Sequence, residues 1–225
     1  MKPSPHTPDF ASGASPAGAS AGYSEKVAQQ VPGLWDLHRM CGLLLAERVP
    51  ADGRVLVLGA GGGLELKAFA EQQPGWSFHG VDPSPSMLQQ AKETLGDQAE
   101  RVAFCEGYID DAPEGPFDGA ACLLTLHFLP AVERQRTLAE IHRRLKPGAP
   151  LVVVHHSFPT DEVGKDRWLA RYAAFSGAAS VSAMKERLPV LSPPEDAALL
   201  AAAGFTGVEL FYAAFTFKGW VGYKG

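Results

Sequence analysis

Three glycines at alternate positions form the most chemically suggestive feature of this chain. Gly59, Gly61 and Gly63 directly follow residues 55–58, an apolar run with the composition of a short buried strand. Residues 64–71 then have helical spacing. Glycines let a ligand approach the backbone closely, and the start of a helix offers unpaired N–H groups. The segment predicts a strand–turn–helix unit that binds a nucleotide-like cofactor, with a plain glycine-rich turn as the alternative.

The glycine spacing distinguishes this turn from two other nucleotide-binding loops. The dinucleotide fingerprint G-x-G-x-x-G needs a glycine where Leu64 stands, and a phosphate-binding P-loop needs a Gly-Lys-Ser/Thr sequence after the turn. An NAD-dependent enzyme is therefore disfavoured.

An acidic residue follows the glycines at a separation that is meaningful for nucleotide binding. Residues 76–81 have the composition of a second strand, and Asp82 stands at its end, about 20 residues after the glycine turn. A carboxylate there can accept two hydrogen bonds from ribose hydroxyls. Asp82 could instead cap the helix that follows from Pro83 to Leu95.

These residues begin an ordered series of motifs that resembles the class I S-adenosylmethionine-dependent methyltransferases. The resemblance covers nearly everything from Val55 to the C-terminus. It implies S-adenosylmethionine as the cofactor and a Rossmann-like α/β fold. In that fold a mostly parallel seven-stranded sheet has the order 3-2-1-4-5-7-6, strand 7 is antiparallel, helices cover both faces and N-terminal helices form a lid. The motifs are residues 58–63, 81–88, 117–121, 145–149 and 204–205.

The resemblance also implies which residues contact the cofactor. Asp82 is expected to bind the ribose, and Met87 to lie near the adenine. The full expected set is Tyr23, Gly59, Ala60, Gly61, Gly63, Glu65, Asp82, Pro83, Met87, Gly107, Tyr108 and Leu123.

Two positions depart from the family pattern. Val57 stands where the family usually has an acid that orients the methionine end of the cofactor. Glu65 is a possible substitute that contacts the amino group, although its helical position also suits an acid that faces water. Tyr108 stands where an acid often accepts the adenine amino group. Its hydroxyl could accept that bond, its ring could cover the purine, or its backbone alone could touch the base.

The chain divides into a polar arm and one domain. Residues 1–22 are rich in Pro, Ser, Ala and Gly and are expected to be disordered, whereas residues 23–225 suit a single domain. Strands and helices alternate through most of that domain, which implies a parallel sheet. The predicted strands are residues 54–58, 76–81, 101–105, 117–124, 149–156, 207–212 and 214–222, the last two antiparallel because their connection is short.

Two segments can cover the carboxyl ends of the strands, where ligands bind in open α/β sheets. Residues 23–50 are expected to form lid helices, and residues 161–194 form a substrate-side insertion. In that insertion residues 166–176 are helical in pattern, and Trp168, Arg171 and Tyr172 lie along one face of that helix and are candidate substrate residues. Such an aromatic stripe can equally be core packing.

Two histidines are candidate catalytic residues. His127 follows the predicted fourth strand and His155 ends the fifth. A sulfonium donor is already activated, so a base is needed only if the acceptor must lose a proton first. Either histidine could therefore be positional. We predict no metal site, because the three cysteines are scattered in mostly apolar surroundings.

Composition narrows the class of partner. The net charge is −5 with 20% charged residues, which offers no electrostatic footprint for a nucleic acid. No apolar stretch is long enough to span a bilayer, and the cysteine usage suits a reducing compartment. We expect a cytoplasmic enzyme, monomeric or homodimeric, that methylates a small molecule. The alternatives are a non-catalytic cofactor-binding or regulatory protein, and a tRNA or protein methyltransferase.

Overall fold

The computed structural model describes residues 20–177 and 188–225. Most of the predicted arm, residues 1–19, and part of the predicted insertion, residues 178–187, lie outside the described residues. Each predicted strand overlaps an observed one. The strands of the described ranges are β1 Arg54–Leu58, β2 Ser77–Asp82, β3 Val102–Glu106, β4 Gly119–Leu123, β5 Pro150–His156, β6 Phe205–Ala214 and β7 Phe217–Lys224.

The α-helices of the described ranges pack around these strands. They are α1 Ser20–Gln30, α2 Leu34–Ala46, α3 Leu64–Gln72, α4 Pro85–Leu95, α5 Ala131–Arg144, α6 Glu162–Ser176 and α7 Pro193–Ala202. None of the helices described is long and apolar enough to cross a membrane.

Two helices begin earlier than the sequence pattern predicts. Helix α1 begins at Ser20, so the end of the predicted arm, at residue 22, lies inside a helix. The last proline before it is Pro16, and a helix can start anywhere after that residue. Helix α6 begins at Glu162 because the Asp161 carboxylate accepts the Gly164 N–H at 2.9 Å and caps it.

The strands form one sheet with the order β3-β2-β1-β4-β5-β7-β6. The first five are mutually parallel, whereas β7 pairs antiparallel with both β5 and β6. The predicted fold, strand order and reversed seventh strand are confirmed. This topology places the ends of β1, β2 and β4 side by side, where the glycine turn, Asp82 and Leu123 meet.

The core fills both faces of the sheet. Along β1, Val55 and Val57 join a cluster that includes Leu37 of α2 and Phe69 of α3. The alternate residues of β1 join a second cluster that includes Ile141 of α5. Strands buried on both faces explain why residues 55–58 of β1, 119–123 of β4 and 150–154 of β5 are continuously apolar rather than alternating.

Candidate cofactor site

A cavity of about 870 Å³ lies at the carboxyl ends of β1, β2 and β4, beneath α1 and α2. Its volume falls within the range of small-molecule and cofactor sites. Ten of the twelve predicted cofactor residues line it, and Ala60 and Gly63 lie outside the lining within the same turn. The ten are Tyr23, Gly59, Gly61, Glu65, Asp82, Pro83, Met87, Gly107, Tyr108 and Leu123.

The glycine turn has a backbone that only glycine adopts easily. Gly59, Gly61 and Gly63 have φ angles of 75°, 47° and 78°. Space is restricted as well, since a Cβ on Gly59 would lie 2.0 Å from Thr125 Oγ1, and one on Gly63 would lie 2.9 Å from the Ala91 backbone. Close packing inside the protein therefore requires glycine at positions 59 and 63.

Asp82 ends β2 with its carboxylate turned back to the glycine turn. One oxygen accepts the Gly61 N–H and the other accepts the Ser84 N–H, both at 2.9 Å. Burial raises the pKa of Asp82, against the lowering effect of these two hydrogen bonds. A carboxylate has about four acceptor sites, so two are left for a ligand that enters the cavity. The N-cap of α4 is Ser84 and not Asp82, because the Ser84 hydroxyl accepts a hydrogen bond from the Met87 N–H.

Tyr23 of α1 covers the glycine turn. A Cβ on Gly62 would lie 2.5 Å from the Tyr23 ring, so the ring rests directly on the backbone there. Burial, and then the nearby Glu65 carboxylate, raise the pKa of Tyr23 to about 12. The phenol therefore stays protonated at neutral pH and is a hydrogen-bonding group of the cavity roof.

Glu65 is buried, contrary to the expectation that it faces water. Its relative exposure is 8%, and it lines the cavity from the first turn of α3. Burial raises the pKa of Glu65 to about 8, with a smaller contribution from the Asp82 charge. Helical spacing located Glu65 correctly on α3, but α2 covers that face of the helix. No cationic side chain of the described residues contributes to this pKa, so a ligand cation could stabilise the buried carboxylate.

Tyr108 lies at the other side of the cavity, after β3. Its backbone N–H donates to the Asp111 carboxylate at 2.9 Å, which holds the short helical turn Ile109–Asp111. The ring lines the cavity and is 37% exposed. Its position permits all three of the interactions with a purine considered above.

The two histidines proposed as catalytic residues do not line the cavity. His127 is buried and its Nδ1 accepts the His156 N–H at 3.3 Å, while burial and the neighbouring histidines hold its pKa well below the usual range. The Nε2 atom of His155 lies 3.1 Å from the Asp196 carboxylate, which also pairs with Arg134. The structure therefore places both imidazoles outside the lining of the cavity.

The aromatic stripe of α6 also lies away from the cavity lining. Tyr172 is 6% exposed and packs against the rings of His156 and Phe217. Arg171 stacks on Trp168, with its guanidinium carbon 4.8 Å from the ring centroid. Because periodicity reports which residues share a face and not what that face meets, the stripe could not be assigned from the sequence. Packing explains Tyr172 in the structure.

Several residues of the cavity were missed by the sequence reasoning. His38 of α2 lines the wall, and a charged group stands at the mouth, where the Arg136 guanidinium bonds to Asp110 at 2.8 Å and to Glu133 at 3.0 Å. These residues come from three separate segments, namely α2, the turn Ile109–Asp111 and α5, and no local spacing joins the segments. His38 lies within residues 23–50, the predicted lid helices, and that location was the one available signal.

The cavity is acidic. Among the described residues that line it, one has a guanidinium and none has an ammonium, whereas the carboxylates are Glu65, Asp82, Asp110, Asp111 and Glu133. Such a lining favours a ligand that carries positive charge, and a sulfonium with an amino group does so.

Comparisons with known proteins agree with this geometry. Residues 56–151 match a family model described as a methyltransferase domain. The chain is 29% identical over 216 residues to carboxy-S-adenosyl-L-methionine synthase of Chromohalobacter salexigens, covering 90% of this chain and 80% of that protein. It is 27% identical to the enzyme of the same name from Actinobacillus succinogenes, covering 87% and 86%.

Solved structures share the fold at lower identity. An O-methyltransferase family protein from Burkholderia thailandensis has a TM-score of 0.62 at 18% identity, covering 91% of this chain and 56% of that one. Human N-acetylserotonin methyltransferase, in complex with S-adenosylmethionine, has a TM-score of 0.61 at 19% identity, covering 94% and 60%. The methyltransferase domain matched over residues 56–151, the relatives and the strand order together support a class I S-adenosylmethionine-dependent methyltransferase.

Proposed function

We propose that this enzyme transfers the methyl group of S-adenosylmethionine to a small-molecule acceptor that binds in the same cavity. The observation that carries the proposal is the roof of the cavity. Tyr23 and Val27 of α1 and Leu34 and His38 of α2 all line it, opposite the glycine turn. An acceptor must fit under these helices, which favours a small molecule over a folded protein or a nucleic acid.

The lining suits each part of the cofactor. Asp82 offers its free lone pairs to the ribose hydroxyls, and the glycine turn allows close approach. Glu65 would pair with the amino group and would take the role of the acidic residue that is absent at position 57. Met87 and Tyr108 would flank the adenine. The bound cofactor supplies an activated methyl group on a sulfonium. The protein residues bind it, align it and exclude water.

The domain organisation follows from the same proposal. Residues 23–225 act as one domain, in which residues 23–50 serve as the lid over the cavity. The described parts of the insertion, residues 161–177 and 188–194, follow β5 in the chain, and residues 161–194 remain the candidate substrate-side insertion. Trp168 and Arg171 would serve an acceptor there only at the outer entrance, since the cavity wall is formed by other residues.

Transfer of a labelled methyl group tests the proposal. The purified enzyme is incubated with methyl-labelled S-adenosylmethionine and either a small-metabolite extract, total RNA or total protein. We expect label in the small-molecule fraction and in neither polymer. Label confined to RNA or protein would contradict the proposed acceptor class. The Asp82→Ala variant is the matched control and should lose the transfer.

Synthesis of carboxy-S-adenosyl-L-methionine is a second candidate function. The two relatives described above carry that name, and they match most of this chain. The charge of the cavity favours methyl transfer instead. A cofactor with an added carboxyl group needs a free cation beside it, whereas Arg136 already pairs with Asp110 and Glu133.

Mass spectrometry of the nucleoside products separates the two candidates. With the small-metabolite extract, methyl transfer leaves S-adenosylhomocysteine. The second candidate would leave a nucleoside heavier than S-adenosylmethionine by a carboxyl group in place of a hydrogen.

A further inference from the structure

His38 is a polar side chain of the cavity wall that the protein itself leaves without a full set of partners. It is 3% exposed, and its Nδ1 has no hydrogen-bond partner among the described residues. The edge of the Trp35 ring lies against it, with the centroids 6.2 Å apart. Burial lowers the pKa of His38 to about 4, so the imidazole is neutral at physiological pH. A neutral imidazole always presents one nitrogen as a hydrogen-bond acceptor.

The fold places His38 at the end of the cavity away from the adenine side. Helix α2 packs on β4 and β5, whereas Tyr108 follows β3, which lies beyond β1 and β2 in the sheet. Helix α2 also lies directly along α3, since a Cβ on Gly42 would meet the Gln72 side chain at 2.6 Å. His38 lies one turn before Gly42 on α2. It therefore shares its end of the cavity with Glu65 of α3.

An electrostatic contact supports the same placement. Burial chiefly, and then the Glu65 charge, raise the pKa of the Cys41 thiol. Cys41 lies three residues after His38 on α2, so the Glu65 carboxylate is close to this turn of the helix. If Glu65 holds the amino group of the cofactor, His38 lies beside the sulfonium and not beside the base.

We propose that His38 recognises the acceptor by accepting a hydrogen bond from it, beside the methyl group that is transferred. The acceptor is accordingly a neutral or cationic molecule with a hydroxyl, thiol or amine donor, and not an anion. The proposal deepens the proposed function and rests on it. The lining points the same way, because its one guanidinium among the described residues is already paired with Asp110 and Glu133 and leaves no free cation for an anionic acceptor.

Two cofactor analogues test the proposal without knowledge of the acceptor. In sinefungin a carbon with an amino group replaces the methyl-bearing sulfonium, so the amine stands in the place of the methyl group, whereas S-adenosylhomocysteine has a thioether sulfur there and no group in the place of the methyl. We expect His38→Leu to weaken sinefungin binding in calorimetry by about tenfold or more, the loss expected for a hydrogen bond to a charged donor. Binding of S-adenosylhomocysteine should stay within about twofold of the wild type.

Matched variants show whether a loss is specific to His38. Glu65→Gln should weaken both analogues alike, since both contain the amino group. His38→Gln keeps a hydrogen-bond acceptor and should retain part of the sinefungin affinity. His38→Leu should melt no earlier than the wild type without ligand, because it removes a buried nitrogen that lacks a partner.

Other outcomes overturn the proposal. Equal losses for the two analogues in His38→Leu would show that His38 serves the cofactor in general. Unchanged sinefungin affinity in a folded variant would show that the imidazole faces neither the methyl group nor the acceptor. Failure of the wild-type enzyme to bind S-adenosylhomocysteine at all would instead contradict the proposed function on which this proposal depends.

Discussion

Substitution of Glu65 by Gln is expected to stabilise the ligand-free enzyme at alkaline pH and to weaken its binding of cofactor. The folded protein holds the pKa of Glu65 at about 8, against an ordinary value of 4.5. The folded state therefore keeps a proton that the unfolded state loses between about pH 4.5 and pH 8. The contribution of Glu65 to the free energy of unfolding therefore falls as pH rises through that window. Above about pH 8 that contribution no longer changes with pH.

The size of the effect follows from the same two values. The pKa rise from 4.5 to about 8 corresponds to as much as about 5 kcal/mol, at about 1.4 kcal/mol for each pH unit. Gln has nearly the shape of the protonated acid and no charge. Glu65→Gln should therefore change the melting temperature little at pH 5 and raise it by roughly 10 °C at pH 8.5.

Scanning calorimetry from pH 5 to pH 8.5 measures this difference. Glu133→Gln is the matched control, because Glu133 lines the same cavity but its side chain is 50% exposed. It should alter neither the pH dependence nor the melting temperature appreciably. The reasoning is refuted if wild type and Glu65→Gln lose stability in parallel as pH rises. In isothermal titrations near pH 8.5, Glu65→Gln should also bind S-adenosylhomocysteine at least about tenfold more weakly, because it lacks the ion pair with the ammonium.

Four further substitutions test other parts of the structure. Asp82→Ala should lower S-adenosylhomocysteine affinity at least about tenfold in calorimetry, and unchanged affinity would mean that Asp82 serves only the glycine turn. In urea unfolding, Tyr172→Ala should lower the free energy of unfolding by about 3–5 kcal/mol, as large aromatic truncations in a core do. Arg171→Ala should lower it by well under about 1 kcal/mol. Equal effects of the two substitutions would contradict the core placement of Tyr172. Asp196→Ala should lower the free energy of unfolding by about 3–5 kcal/mol in the same assay, because it leaves the buried Arg134 guanidinium without its ion-pair partner. An unchanged free energy of unfolding would show that this ion pair contributes no net stability.

The sequence allowed most of the fold to be predicted, because alternating strands and helices leave few topologies. Right-handed crossovers and the short link between β6 and β7 restrict the pairing, and the resemblance supplies the order. Asp161 shows where such reasoning falls short. Its carboxylate accepts the Gly164 N–H and extends α6, and a cap five residues before the predicted helical pattern at residue 166 gives a weak signal.

The candidate site could be predicted where it is local in sequence. The glycine turn and Asp82 lie within one strand–turn–helix–strand unit, so their spacing was informative. His38 and Arg136 reach the cavity from α2 and α5, which only the tertiary structure brings to the carboxyl ends of the strands. The burial of Glu65 has the same origin, since α2 covers a face of α3 that is polar in pattern.

Calorimetric titration of the wild-type enzyme with S-adenosylmethionine, S-adenosylhomocysteine and NAD tests the central claim most directly. The glycine spacing, Asp82 and the acidic cavity predict one site for each of the two adenosyl compounds and negligible heat with NAD. S-adenosylhomocysteine should also protect the enzyme thermally in proportion to its measured affinity. Tighter binding of NAD than of either adenosyl compound would contradict the assignment of this cavity.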